Sequence, residues 1–209
     1  MNDQPSNGLP QKTMRVLVLA PQPFYQDRGT PIAVRLLVTE LARMGHSIDL
    51  LVFHEGDDIT IPGVTIIRTT GSPYLKNIPP GFSLKKILCD LRMHSVADTL
   101  LKAHSYDLIH AVEESVFIAM RLSRKHKVPY IYDMDSSLPI QLMDKAPFLR
   151  MFRTPLQWFE KRAAQNSRGI VAVCQELVDL ATSYAPDTPT VCLEDIDLLE
   201  YCEGDEDLR

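Results

Sequence analysis

Two rhythms of apolar positions alternate along this chain. Short, almost continuous apolar runs bounded by turn residues recur at Met14–Ala20, His46–Phe53, Val64–Thr69, Tyr106–Val112, Val128–Tyr132, Gly169–Val173 and Thr190–Leu193. Runs of this kind predict strands of a parallel sheet, buried on both faces. Between them the apolar residues recur at helical spacing. Thr30 then Pro31 predicts a helix start, with Thr as N-cap and Pro at the first helical position, where its missing N–H costs nothing. Ile32, Leu36, Leu37, Leu41 and Met44 continue that helix, and Gly45 closes it as a left-handed terminator. Ser83 predicts the cap of a long helix to about His104, with Leu84, Ile87, Leu88, Leu91, Leu100 and Leu101 on its buried side. Ser115–Lys127 and Gln175–Tyr184 predict two more helices. Pro139–Ser167 predicts a mostly helical stretch, broken near Pro147 and Pro155.

Strand then helix, repeated, implies βαβ units: an α/β fold with a doubly wound parallel sheet, Rossmann-like, covered by helices on both faces. One domain is expected over residues 14–193, after a loose polar tail (1–13) and before an acidic tail or linker (194–209). In such sheets a ligand lies beyond the C-terminal ends of the strands. That rule selects the segments Pro21–Thr30, His110–Ser115, Asp133–Leu138 and the turn at Cys174-Gln175-Glu176.

Composition narrows the function classes. Hydrophobic residues make up 45% of the chain and charged ones 23%, as expected of a globular protein. Eight acids and one base between Glu194 and Arg209 carry more than the whole net charge of −5, so the body is slightly basic without the strong stripe that nucleic acid binding needs. The N-terminus lacks the apolar core of a signal peptide, and no apolar run reaches the ~18 residues of a membrane span. Cys89, Cys174, Cys192 and Cys202 form no CxxC pair and read as reduced thiols of a cytoplasmic protein. The segments Leu84–Arg92 and Phe148–Arg162 mix bulky apolar and basic residues. Such mixtures suit either peripheral contact with an anionic membrane face or an ordinary core with solvated charges.

Each selected loop has a chemical and a structural reading. Gly29, before a helix N-terminus, with Arg28 and Thr30 beside it, suits a phosphate held by free N–H groups; it equally suits a simple turn with a left-handed glycine. His110, Glu113 and Glu114 follow the fourth strand, where a carboxylate can accept a proton from a sugar hydroxyl, or where acids can simply start a helix. Asp133, Asp135 and Ser136 suit sugar hydroxyls, whereas Asp135, Ser136 or Ser137 alone would serve as a helix cap. No third ligand accompanies Asp133 and Asp135, so no metal is expected there. The absence of GxGxxG and of GxxxxGK[ST] argues against an oxidoreductase of the dinucleotide type and against a P-loop.

The order and spacing of four segments resemble family 4 glycosyltransferases, which are retaining enzymes of the GT-B fold. They are Gly29 through Leu51, Tyr106 through Glu114, Val128 through Pro139, and Trp158 through Cys174. The likeness runs from Met14 to about Leu193. It implies the N-terminal, acceptor-side domain of a two-domain enzyme of polysaccharide biosynthesis type. Its substrates would be a nucleotide-diphosphate sugar, used as co-substrate without a resident cofactor, and a glycan or lipid-linked acceptor. The donor-binding C-terminal domain is expected as a missing half or split subunit, without which this chain would be a non-catalytic module. Where many members carry His-x-His-[Asp/Glu], this chain has His110, Val112 and Glu113, so the second imidazole is absent and Glu113 keeps the acidic position. The resemblance thus makes Glu113 the candidate catalytic group. It assigns Arg28, Gly29 and Thr30 to the donor phosphates, and His110, Glu114, Asp133, Asp135 and Ser136 to acceptor or sugar.

Overall fold

The computed structural model describes residues 12–27, 29–71, 75–76, 78, 83–140 and 153–194, with only the backbone for Leu84 and Arg153. Seven parallel strands form one sheet in the order β3-β2-β1-β4-β5-β6-β7. They are β1 Arg15–Ala20, β2 Ser47–Val52, β3 Val64–Arg68, β4 Leu108–Val112, β5 Tyr130–Met134, β6 Gly169–Ala172 and β7 Thr190–Cys192. The helices are α1 Gly29–Arg43, α2 Leu84–Ala103, α3 Ser115–His126, α4 Arg153–Asn166 and α5 Gln175–Tyr184. The Rossmann-like α/β reading holds, and the reversal of strand order between β3-β2-β1 and β4-β5-β6-β7 places a crevice at the β1/β4 boundary.

Alternation along each strand builds two cores. Leu17 and Leu19 of β1, Ile109 and Ala111 of β4, and Tyr130 and Tyr132 of β5 enter the larger core, together with residues of α2, α3, α4 and α5. Val16, Val18 and Ala20 point the other way, with Ile48 and Leu50, against Val34 and Val38 of α1. The expectation of helices over both faces is therefore met unevenly. Among the described residues α1 is the one helix on its face, and it packs on β2 and β3. Among the described residues the opposite face carries α2, α3, α4 and α5.

Several boundaries shift for physical reasons. α1 begins at Gly29, so Thr30 is inside the helix and Pro31 is its third residue; Pro is equally harmless there, because first-turn N–H groups lack intrahelical partners. Gly45 does close the turn after α1 with φ +88°. Ser83 caps α2 as expected, its hydroxyl accepting from the Lys86 N–H at 3.1 Å. Pro155 does not break a helix but lies in the first turn of α4; Pro147 falls outside the described residues.

The buried stripe of α2 is a correction. Cys89, Met93, Ala97 and Leu101 face the core, whereas Ile87, Leu88 and Leu91 are exposed, Leu91 by 64%. The sheet-facing stripe of α1 is likewise Pro31, Val34 and Val38, while Met44 is exposed. Two adjacent apolar stripes occupy each helix, and helical spacing alone does not choose between them.

Candidate functional site

The C-terminal ends of β1, β4 and β5 lie side by side, and the expected site residues gather there. Val112 pairs with Asp133 across β4 and β5, and the Glu113 N–H donates to the Asp133 carbonyl at 2.9 Å. Asp133 lies inside β5 rather than in the loop beyond it. Its carboxylate Oδ2 is 2.8 Å from His110 Nε2, with both side chains largely buried. A central strand fixes the ring and an adjacent strand fixes the carboxylate, so this pair needs no loop to hold it.

Glu113 turns the chain between β4 and α3 with φ +50°, a left-handed conformation unusual for a residue with a Cβ. Such a residue stores on the order of 1–3 kcal/mol and persists where its surroundings over-determine it. Here they do so from both sides. The Glu113 N–H is held by Asp133, its carbonyl accepts from the Val116 N–H, and the Ser115 hydroxyl donates to the carbonyls of Leu19 and Val112. β1, β4, β5 and α3 are thus tied together at one point.

Glu114 occupies the N-cap position of α3, but its side chain makes no capping hydrogen bond. Its carboxylate meets the Lys86 ammonium from α2, and both side chains are largely buried. Burial alone would push the Lys86 ammonium down, but the carboxylates of Glu114, Glu113 and Asp90 more than offset this and hold it above its ordinary value. Asp90, one turn further along α2, is pushed up to about 8 by burial and by the charge of Glu114. Its Oδ1 is buried without a hydrogen-bond partner. At neutral pH a proton therefore resides on Asp90. Lys86 and Asp90 were not among the expected site residues, because an i,i+4 Lys–Asp pair reads as a solvated helix surface.

The first loop is pinned from behind. The Arg68 guanidinium, at the end of β3, donates to the carbonyls of Phe24, Glu55 and Asp57, the latter two at 2.9 and 2.8 Å. Gly56 has φ +117°, and a Cβ there would sit 2.3 Å from the Phe24 backbone, so only glycine lets the loops after β1 and β2 meet. Gly29 is exposed at the start of α1. It does not have the positive φ of a left-handed turn residue, and a Cβ on it would meet nothing within 4 Å. Thr30 is half-buried beside it. Arg28 lies outside the described residues.

Asp135 and Ser136 are half-buried beyond β5. Asp133 and Asp135 line one cavity of about 230 Å3 together with Ala33 and Val34 of α1, which brings the α1 and β5 loops to a common space. Ser137 directly precedes the helical residues 138–140. Its hydroxyl donates to Glu160 of α4 at 2.8 Å, and the same carboxylate accepts from the Leu138 N–H at 3.0 Å and the Tyr132 hydroxyl at 3.4 Å. Burial raises the Glu160 carboxyl, and these three donors oppose that shift. Glu160 thereby roots the loop carrying Asp135 and Ser136, although in sequence it looks like one more charge in a surface helix. Among the described residues no three metal-ligating side chains converge. No helix there is long and apolar enough to cross a membrane.

The architecture has solved counterparts. Sucrose-phosphate synthase from Thermosynechococcus elongatus superposes with a TM-score of 0.67 at 17% identity, over 87% of this chain and 48% of that one. UGT89C1 of Arabidopsis thaliana complexed with UDP-L-rhamnose gives 0.58 at 14% identity, over 90% and 50%. HepE of Anabaena in complex with UDP gives 0.53 at 14%, over 86% and 44%. At such identities the likeness speaks for the fold, that of GT-B glycosyltransferases. The chain spans about half the length of these solved structures. Among curated proteins no relative matches. The family model for glycosyltransferase family 4 matches residues 28–191, a segment that contains His110, Glu113, Glu114, Asp133, Asp135 and Ser136 but begins after β1 and its loop at Phe24. By that match the chain belongs to glycosyltransferase family 4, as a Rossmann-like N-terminal-type domain of the GT-B fold.

Proposed function

We propose that this chain is the acceptor-side half of a retaining transferase that moves a sugar from a nucleotide-diphosphate donor to a hydroxyl of a glycan or lipid-linked acceptor. The observation that carries the reading is the junction at the ends of β1, β4 and β5, where Glu113 is held in a left-handed turn beside the buried His110–Asp133 pair. Rigid strands fix these groups, as positioning of a reacting hydroxyl requires. Glu113 is assigned the catalytic contact with the acceptor or transferred sugar. His110, Glu114, Asp133, Asp135 and Ser136 orient hydroxyls around it. The exposed start of α1 at Gly29 and Thr30 offers N–H groups and the positive end of a helix dipole to the leaving diphosphate, with Arg28 as its guanidinium partner. No resident cofactor or metal enters this scheme.

The donor half is assigned to a separate domain or subunit, in keeping with the half-length match to the solved structures. The same observation supports a second reading, in which the isolated chain is a binding module without turnover. Two of those structures hold UDP or UDP-L-rhamnose, which makes UDP-sugars the first donors to try. We assign the chain to the cytoplasm, with peripheral membrane contact through the exposed Leu88 and Leu91 of α2 and Trp158 and Phe159 of α4.

The test is to join the chain to a donor-binding half, by fusion or co-expression, and to measure nucleoside diphosphate release with UDP-sugars and glycan or lipid-linked acceptors. Release that depends on both halves supports the transferase. Release by neither arrangement with any donor leaves the binding-module reading, and micromolar binding of a nucleotide sugar by this chain alone would count against that one.

A further inference from the structure

Four acidic residues gather around the end of β4. Glu113 and Glu114 are consecutive there, Asp133 is on the adjacent β5, and α2 brings Asp90 within reach of the Glu114 charge. Asp133 is paired with the imidazole of His110, and Glu114 with the ammonium of Lys86. The Lys86 contact joins two elements, α2 and the turn into α3, with the two side chains only 12% and 17% exposed. The same ammonium also feels the charges of Glu113 and Asp90, so it serves three carboxyl groups at once. Lys85, the residue before it, is exposed and donates to the Lys76 carbonyl instead.

Fold stability alone does not call for this pair. A buried ion pair contributes little over an apolar pair of similar size, because both charges must leave water. The apolar row of Cys89, Met93, Ala97 and Leu101 already fastens α2 to the core. What an apolar pair could not supply is positive charge. Glu113, next to the clamped Glu114, needs it, because a carboxylate accepts a proton from a hydroxyl only while ionised. Neighbouring carboxylates favour protonation, and an adjacent cation opposes it. From β4 and β5 the facing groups bring no permanent cation. His110 is engaged by Asp133, and the Tyr132 phenol is pushed up by burial and by the charges of Glu160, Glu113 and Glu114, so it stays neutral. Asp90, on the same helix as Lys86, has a buried Oδ1 without a hydrogen-bond donor to favour its charged form. It keeps its own proton at neutral pH and leaves the ammonium to the glutamates.

We propose that Lys86 is a positioning residue for sugar transfer: its ammonium clamps Glu114 to α2 and supplies the positive charge that keeps the adjacent Glu113 carboxylate ready for the proton of the reacting hydroxyl. In that step the hydroxyl oxygen bonds the anomeric carbon as the bond to the diphosphate breaks, and the hydroxyl proton passes to Glu113. Lys86 acts through the two glutamates rather than on either substrate. The assignment rests on the sugar-transfer reading.

The test uses the chain joined to a donor-binding half and reads nucleoside diphosphate release between about pH 5.5 and 9. Lys86→Met is expected to lower kcat at neutral pH at least about tenfold and to leave the acceptor KM within about threefold. It should also move the acid limb of the kcat profile up by about one pH unit. Lys86→Arg keeps the charge and recovers most of the rate. Lys86→Met alone leaves a buried carboxylate unpaired, so Lys86→Met/Glu114→Gln, which removes both charges, keeps the test decisive if the single variant melts below assay temperature. The double variant should melt within about 3 °C of Glu114→Gln. It should nonetheless be at least about tenfold slower than Glu114→Gln, with its acid limb still displaced. A clamp that serves the fold alone predicts equal kcat in those two. Lys102→Met, in the last turn of the same helix, leaves the profile unchanged. Wild-type kcat in Lys86→Met overturns the proposal, as does equal kcat in Glu114→Gln and Lys86→Met/Glu114→Gln, or a slower variant whose acid limb has not moved. A joined wild-type protein that releases no diphosphate overturns the sugar-transfer reading and this assignment with it. An active wild type with unaffected variants overturns this assignment alone.

Discussion

The two ends of the sheet treat their buried polar groups in opposite ways. At the N-terminal end, Asp49 accepts from Arg15 Nε and Nη2 at 3.1 and 2.7 Å and from the Tyr106 hydroxyl at 2.6 Å, and Arg15 also lies over the Tyr106 ring. Burial and the bond to Asp49 push the Tyr106 phenol up. The cluster is satisfied, and it joins β1, β2 and the approach to β4. At the C-terminal end, Gln22 Nε2, His54 Nδ1 and Thr69 Oγ1, which follow β1, β2 and β3, are buried without partners, as is Asp90 Oδ1 on α2. The left-handed Glu113 lies at this end too. Buried polar groups are nearly always paired, so these orphans mark a surface not optimised for stability alone, whereas left-handed backbone occurs at both ends, at Glu113 and at Lys127 before β5. The lesson is a division of labour along one set of strands: one end secures the fold, the other is kept polar and available.

That contrast can be broken, and the largest effect is expected at the satisfied end. Asp49→Ala orphans a phenol and a guanidinium and should cost about 3 kcal/mol in urea denaturation, the half-exposed Arg15 keeping it below the upper range for broken buried pairs. A loss under about 0.5 kcal/mol would remove the claim that this end is structural.

Next is Glu160, a carboxylate under the C-terminal end that accepts from several donors. Glu160→Ala should cost about 2 kcal/mol, since three donors lose their acceptor, and Glu160→Gln should recover most of it because Ser137 can turn to accept from the amide. Equal losses in both variants would mean that the charge, not the hydrogen bonds, holds the Ser136 loop.

Asp90 sharpens the comparison through pH. Its folded value of about 8 lies above that of the unfolded chain, so the folded protein keeps a proton that the unfolded chain releases near pH ~4. Stability from this group is greatest below that point, declines as pH rises towards 8, and is lost above it. Asp90→Asn should flatten the decline and be more stable than wild type by about 1–3 kcal/mol at pH 9, with little difference at pH 5. Parallel pH profiles for the two proteins in urea denaturation would show that Asp90 is not protonated in the fold.

The smallest stability effect belongs to Glu113. Glycine adopts its backbone without penalty, so Glu113→Gly should leave stability within about 1 kcal/mol of wild type or raise it, whereas Glu113→Val should lose about 1–2 kcal/mol. Thermal melting distinguishes the two outcomes.

How far the sequence reaches follows the same division. The unbroken apolar run of Arg15–Ala20 and the helical period of Gln175–Tyr184 are legible because local pattern and tertiary burial agree. The α2 stripe is not, because Ile87, Leu88 and Leu91 are as apolar as the Cys89–Met93–Ala97–Leu101 row that the sheet selects. β5 runs two residues further than its apolar run because Asp133 finds its partner, His110, on the neighbouring strand. His110, Glu113, Glu114 and Asp133 are legible as a group from their places after the fourth and fifth strands. Lys86, Asp90, Arg68 and Glu160, which hold that group in place, are invisible, since each has a neighbour in sequence that makes it look solvated. A left-handed Glu113 has no signal in a residue type that rarely adopts it.

The central claim is that the C-terminal end performs sugar transfer while the N-terminal end only supports it. Glu113→Gln and Asp49→Asn, each in the chain joined to a donor-binding half, separate the two roles in one assay of nucleoside diphosphate release. The account predicts that Glu113→Gln lowers kcat at least about a hundredfold with unchanged melting, and that Asp49→Asn lowers melting with kcat near wild type below its transition. Wild-type kcat in Glu113→Gln would contradict it.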